Sequence, residues 1–349
     1  MTRKPHRIIQ DPVMKLEIPH WYGNVPTFFG APLAQNAEDL READIVFLGI
    51  PWQAPTPDSR MGPAADIFMG MVMTAQSLRT SSVKYGGYLP ELDVDVFDHL
   101  SLVDYGNVDV VRDIRQTNEN AVVAVENILS AGAIPVTVGG NSGLGCLPVL
   151  EAISRHSAGP IAVINFDAHG DNRDYSTPLE IDNGRPRISG NWALRQFDLS
   201  NVSARHYHHV GLRGPRNDSG TIPRFLSRGV LRDHIYTYRE IKTARRTGFD
   251  EFAAQIVNRA MDGASHLWLA IDADVLDIGV CPGFGDEPLG VSVEELVEIC
   301  YQAGRIAGRK RLAGISLMAI PPGATEMQWI SIYTILYTLA GMLQENGVE

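Results

Sequence analysis

Three side chains of metal-ligating type stand at alternate positions in VINFDAHGDN, residues 163–172: Asp167, His169 and Asp171. In an extended chain leaving a strand, residues i, i+2 and i+4 face one side, so the three can converge on one point. A second pair, Asp272 and Asp274 in AIDADVLD, ends another apolar run with the same alternation. Carboxylates and an imidazole suit hard or borderline divalent ions such as Mn²⁺, Ni²⁺ or Zn²⁺, with carboxylates able to bridge two ions about 3.5–4 Å apart. The chemistry of such a centre is hydrolysis, because a bound ion acidifies water. Strand-end aspartates also cap helices, and a single histidine often only completes a hydrogen bond. Five residues of ligand type at two strand ends favour the metal.

The elements that must position them are short apolar runs ending in Gly, Pro, Asp or Asn, the pattern of buried parallel strands at their carboxyl ends. They are residues 45–51, 133–141, 161–171, 208–215, 266–274 and 312–322. Helical patterns lie between them. Thr117 is placed to cap a helix reaching Leu129, with Gly132 ending it. Ser292 followed by Glu295 is a capping box for the helix around residues 296–308. Alternating strands and helices imply a doubly wound parallel sheet, whose ligands bind outside the strands' carboxyl ends. Residues 1–40 show no period and read as an extension packed on the domain or on a neighbouring subunit; residues 41–349 read as one domain.

Bulk properties narrow the function classes. The 349 residues are 44% hydrophobic and 20% charged, with a formal net charge of −11. That sign argues against nucleic acid and anionic membranes as partners, though not against a cationic substrate. Three cysteines, Cys146, Cys281 and Cys300, with no CxxC spacing, suggest neither a disulfide framework nor a zinc knuckle. A reducing cytoplasm is the expected compartment, since the N-terminal stretch has no secretory apolar core. The longest apolar run, residues 329–343, is shorter than the roughly 20 residues of a spanning helix and reads as a buried core helix.

From about residue 27 onward the chain resembles the ureohydrolase family of arginase, agmatinase and guanidinobutyrase. NFDAHGD resembles the family's first metal motif and AIDADVLDIGVCPGFGDEPLG its second; SRMGPAADI, DYGNVDV and VGLRGP resemble segments that build rim and core. The resemblance implies an arginase-like three-layer α/β sandwich with a mainly parallel sheet, a divalent-metal site and a trimeric or hexameric assembly. It also exposes departures. Ser142 stands where the family's G-G-D-H segment supplies a histidine ligand, so one of two ions should be weakened or lost. Gly190 occupies the place of a proton-transferring histidine in an S-H-G segment. Met318 replaces the glutamate of V-E-V-x-P that contacts the substrate's guanidinium, forfeiting a charge-assisted hydrogen bond worth about 1.5–3 kcal/mol. The ligands of the other ion, Asp167, His169, Asp272 and Asp274, survive, with Asp171 a spare ligand or candidate base.

Two functional expectations follow from these departures. The first is a non-catalytic or impaired subunit that pairs with a ureohydrolase paralogue and supports hydrolysis of a guanidino or biguanide compound, as in a heteromeric member such as metformin hydrolase. The alternative is an active agmatinase- or guanidinase-like C–N hydrolase using one ion, nickel or manganese, or a reshaped pair. A deacetylase-like amidase is a third, weaker reading that lacks its histidine dyad. Asn191, His206, His208 and His209 are candidate replacements for the missing acid–base group, although His208 and His209 fall at the expected start of their strand. Cys146 reads as a small buried hydrophobe. Trp192 and Arg195 are candidates for a pocket mouth, although a tryptophan in a loop more often serves packing or an interface.

Overall fold

A computed structural model of the chain describes residues 8–10, 17–19, 26–52, 70–111, 113–140, 142–173, 189–280, 287–320 and 325–344. Eight strands form the central sheet: β1 (Ile45–Gly49), β2 (Leu102–Asn107), β3 (Ile134–Val138), β4 (Ile161–Phe166), β5 (Val202–Leu212), β6 (Ile235–Thr237), β7 (His266–Asp272) and β8 (Leu312–Met318). Their spatial order is β6-β5-β4-β7-β8-β3-β1-β2, and every neighbouring pair runs parallel. The inner strands are buried along their length, which is why they read as continuous apolar runs. The edge strands β2 and β6 escape such a reading: LVDYGN mixes polar residues into the run, and β6 is three residues long.

Helices cover the sheet: α1 (Thr74–Ser82), α2 (Ile114–Ser130), α3 (Ser142–His156), α4 (Phe249–Met261), α5 (Val293–Arg311) and α6 (Thr325–Leu343). Helix α2 begins earlier than Thr117 predicts. Its cap is Asp113, whose carboxylate accepts from the Arg115 N–H, while the Thr117 hydroxyl turns back to the carbonyls of Val111 and Asp113. Gly132, at φ +80°, follows the helix as expected. The Ser292–Glu295 capping box is formed at the start of α5. Helix α6 packs against α5 and is buried over most of its length, with Trp329 and Tyr333 exposed. Among the described residues no helix is long and apolar enough to cross a membrane.

Residues 26–40 lie along the β2 edge. Phe28 and Phe29 are buried against Phe47, and the Asp104 carboxylate accepts from the Phe28 N–H and from Arg79 in a buried ion pair. The site follows from the winding. The chain leaves β4 toward β5 and leaves β7 toward β8, in opposite directions across the sheet, although β4 and β7 are neighbours. Connections that diverge in this way open a crevice at the carboxyl ends of the two strands, where ligands of doubly wound sheets bind. Asp167 follows β4 directly and Asp272 ends β7.

Candidate metal centre

The loop after β4 turns so that its alternating polar side chains face the crevice. Asp167, His169 and Asp274 come together, with one ligand atom from each within 4.8 Å of the others, a spacing that could hold one ion. His169 Nδ1 lies 2.8 Å from Asp274 Oδ2 and 3.7 Å from Asp167 Oδ1. The backbone fixes both carboxylates: the His169 N–H donates to Asp167 Oδ1 at 2.6 Å, and the Ala168 N–H to Asp274 Oδ1 at 2.9 Å. Asp272 stands behind the cluster, where its carboxylate accepts from the Asp274 N–H at 3.0 Å. Asp171 is turned by a left-handed backbone, φ +38°, and accepts from the buried Trp192 indole at 3.1 Å.

Two atoms of this cluster fit a cation. Asp167 Oδ2 and His169 Nε2 are buried and have no hydrogen-bond partner among the described residues. Leaving such groups without a partner costs about 1–3 kcal/mol each, so their placement makes sense as a preformed cradle. Oxygen and imidazole donors suit Mn²⁺, Ni²⁺ or Zn²⁺.

Electrostatics agree with that fit. Burial, and then the charges of Asp274, Asp171 and Asp272, push the Asp167 carboxyl well above the ordinary range. Burial also disfavours the Asp274 carboxylate, but His169, the Ala168 N–H and Arg213 outweigh it and hold the group at about 2. His169 loses proton affinity to burial and regains more from Asp274, ending raised. In the metal-free protein the neighbouring carboxylate of Asp274 thus favours a proton on His169, and burial with the surrounding carboxylates favours one on Asp167. A divalent cation would replace both protons.

Three residues that shape the centre were not singled out in the sequence. Glu287, buried, brings Oε1 to 3.7 Å from His169 Nε2. Arg213, from β5's end, gives all its donors to carbonyls, among them those of Asp274, Val275, Leu276, Glu287 and Pro288. It thereby ties the loop after β7 to the Glu287 segment. Asn217 accepts from the Gly170 N–H and donates to the Ala168 carbonyl, pinning the loop after β4. Glu287 and Arg213 lie within stretches already quoted, DEPLG and VGLRGP, but their roles depend on tertiary closeness that no local spacing reveals.

The departures from the family pattern sit as follows. Met318, at the end of β8 and paired with Asp272, is fully buried with its Sδ 2.8 Å from Cys146 Sγ. Cys146 is a buried thiol, pushed well above its ordinary range by burial and then by Asp272, Asp171 and Asp167. Gly190 borders the crevice, its carbonyl accepting from the Arg173 N–H at 2.8 Å. Ser142 opens α3; its side chain, the whole of SRMGPAADI and Cys281 lie outside the described residues.

The candidate acid–base residues are placed elsewhere. Because β5 begins at Val202, His208 and His209 fall in its later half and not at its start. His209 is buried beneath the centre, touching the Asp167 carbonyl at 3.0 Å and the Tyr207 hydroxyl at 2.9 Å; burial lowers it to about 4. His208 stacks on His234 and is lowered to about 2, chiefly by burial. Neither opens onto the crevice cavity, and Asn191 is buried beside Trp192. Trp192 itself is buried edge-on against Trp268, not at a mouth, and Arg195 pairs with Asp198.

Comparison with known proteins agrees with this geometry. The arginase family profile matches residues 43–328. Human mitochondrial guanidino acid hydrolase is 24% identical over 276 residues, 77% of this chain and 69% of that protein. Proclavaminate amidinohydrolase of Streptomyces clavuligerus is 24% identical, covering 86% and 87%. Among solved structures, Bacillus subtilis formimidoylglutamase superposes with a TM-score of 0.73 at 23% identity over 94% of this chain and 96% of that one. Trypanosoma cruzi formiminoglutamase, solved with Mn²⁺, gives 0.68 at 23% identity over 92% and 100%. At these identities the structures share the fold with this chain; the family profile, spanning both strand ends that meet at the crevice, makes the chain a member of the arginase family.

Proposed function

We propose that this chain is a one-ion ureohydrolase subunit, non-catalytic or impaired by itself, that joins a catalytically complete paralogue in a trimer or hexamer hydrolysing a guanidino-type compound. Asp167, His169 and Asp274 would hold the ion, nickel or manganese, with Asp272 orienting Asp274 and Asp171 in reserve. Such an ion, when bound, acidifies water for attack on a guanidino carbon. The protein's own contribution is positional: Arg213 and Asn217 fix the two loops, and Trp192 directs Asp171.

The observation that carries the reading is Met318. At the position where the family has a guanidinium-binding glutamate, this chain has a thioether sealed from solvent against Cys146. Gly190, on the cavity wall, has no side chain to move a proton. A formed ligand cluster with neither clamp nor shuttle is what an impaired subunit would retain. Names borne by the relatives, guanidino acid hydrolase and proclavaminate amidinohydrolase, supply the substrate class.

The test is activity with and without the paralogue. The purified chain with Mn²⁺ or Ni²⁺ should not turn over agmatine, 4-guanidinobutyrate or metformin, whereas the co-expressed assembly should. Robust turnover by the isolated chain, abolished in His169→Ala, would favour instead an active one-ion hydrolase.

A further inference from the structure

Beneath the ion centre, three polar side chains form a buried chain of hydrogen bonds. Asn165 on β4 and Tyr207 and His209 on β5 share one face of the sheet: Tyr207 and His209 alternate along their strand, and Asn165 is the register partner of His209. The Tyr207 hydroxyl lies 2.9 Å from His209 Nδ1 and 3.2 Å from Asn165 Nδ2, and His209 Nε2 lies 3.0 Å from the Asp167 carbonyl oxygen. All three side chains are fully buried, with Phe225 packed against both rings. The direction of each bond follows from the last acceptor. A carbonyl only accepts, so Nε2 carries the hydrogen. Burial keeps the ring neutral, so Nδ1 accepts from the Tyr207 hydroxyl, whose oxygen in turn accepts from Asn165.

The carbonyl at the end of this chain belongs to a peptide group with a second task. The Asp167 C=O and the Ala168 N–H are two ends of one plane and point in opposite directions across a trans bond. The N–H end donates to Asp274 Oδ1 at 2.9 Å. The peptide is therefore held between His209 on one side and the Asp274 carboxylate on the other, and turning it displaces both Asp167 and the support of Asp274. The regular strand ladder ends just before it: the last register pair of β4 and β5 is Phe166 with Val210, and β5 bends at Gly211, φ +103°. A side chain supplies the bond where the ladder has ended. We propose that His209 is a positioning residue for the ion centre, its Nε2–H holding the Asp167–Ala168 peptide so that the Asp167 and Asp274 carboxylates both face His169, with Tyr207 and Asn165 selecting the tautomer that can donate. The inference rests on the reading of Asp167, His169 and Asp274 as an ion site, but the hold on the peptide can be measured in the metal-free protein.

The experiment combines NMR of the metal-free chain, isotope-labelled at alanine and histidine nitrogens, with calorimetric titration of Mn²⁺. In the unaltered chain His209 should carry its hydrogen on Nε2 alone, and the Ala168 amide should be protected from hydrogen exchange. His209→Phe should speed Ala168 exchange by about tenfold beyond any change at Ala270, which lies inside β7 and reports general loss of stability. The same variant should weaken Mn²⁺ binding by about 10–100-fold, as loss of an outer partner of a metal ligand does. His209→Gln, whose amide nitrogen can reach the position of Nε2, should retain most of both properties. Tyr207→Phe leaves the imidazole in place and removes only the donor to Nδ1; it should shift part of His209 to the other tautomer and speed Ala168 exchange relative to Ala270, and it carries the test if His209→Phe does not fold. His208→Gln, on the opposite face of the strand, should alter neither the Ala168-to-Ala270 ratio nor Mn²⁺ affinity. His209 protonated at Nδ1 in the unaltered chain, Ala168 exchange that only keeps step with Ala270 in the variants, or unchanged Mn²⁺ affinity in folded His209→Phe would each overturn the proposal. An unaltered chain that binds no Mn²⁺ while Ala168 responds as stated would contradict the one-ion reading and bear out the hold of His209 on the peptide.

Discussion

Replacing His169 by alanine in the metal-free protein tests the electrostatic account of the centre. The substitution removes an imidazolium 2.8 Å from Asp274, whose side chain is 7% exposed. Removing one partner of a fully buried ion pair costs about 3–5 kcal/mol. Here the Ala168 N–H and the charge of Arg213 still face Asp274, so the expected loss is about 2–3 kcal/mol. With a urea m-value of about 3 kcal/mol/M, the midpoint should fall by roughly 0.7–1 M in the presence of a chelator. The pH dependence has a definite sign. His169 is raised in the folded state, so the pair's contribution is complete below the unfolded histidine value near 6.5 and is lost as pH rises through the folded value. Asp274 is held at about 2 when folded, below its ordinary 3.8, so its contribution is present above 3.8 and lost as pH falls through 2. The alanine penalty should therefore be larger at pH 6 than at pH 9. A penalty below about 1 kcal/mol, or one that stays flat from pH 6 to 9, would refute the reasoning.

Other perturbations probe neighbouring parts. Arg213→Met removes the donors that join the Asp274 and Glu287 segments, and should weaken Mn²⁺ affinity by about 10–100-fold, as loss of outer partners of metal ligands does; a direct metal titration reads it. Met318→Glu places a carboxyl in a sealed site beside Cys146 and Asp272, and should destabilise the metal-free chain by several kcal/mol in urea unfolding. Gly211→Ala should lower stability by more than 1 kcal/mol in the same assay, because Gly211 has φ +103° and a Cβ there would lie 2.6 Å from Val275 Cγ2.

Much of the fold is legible where burial is complete. The strands β1, β3, β4, β7 and β8 read as apolar runs because helices cover both faces, and Asp167, His169 and Asp274 are legible because they continue the strands' alternation into the crevice. Legibility fails where a residue's role is set by distant chain. Edge strands β2 and β6 need no uniform burial, so their sequences are mixed. The start of β5 is hidden by its alternating exposed residues Ser203 and Arg205, which displaces His208 and His209 in a purely apolar reading. Asp113 outcompetes Thr117 as a cap because the Thr117 hydroxyl is already committed to the preceding loop. Glu287 meets His169 from 118 positions further along the chain, and only the closed fold brings them to 3.7 Å.

The central claim is a single preformed ion site made by Asp167, His169 and Asp274. Native mass spectrometry of the chain after incubation with Mn²⁺ or Ni²⁺, followed by removal of loosely held metal, measures it directly. The account predicts one ion per chain, lost in His169→Ala and in Asp274→Asn. Two tightly held ions per chain, or one that survives both substitutions, would contradict it.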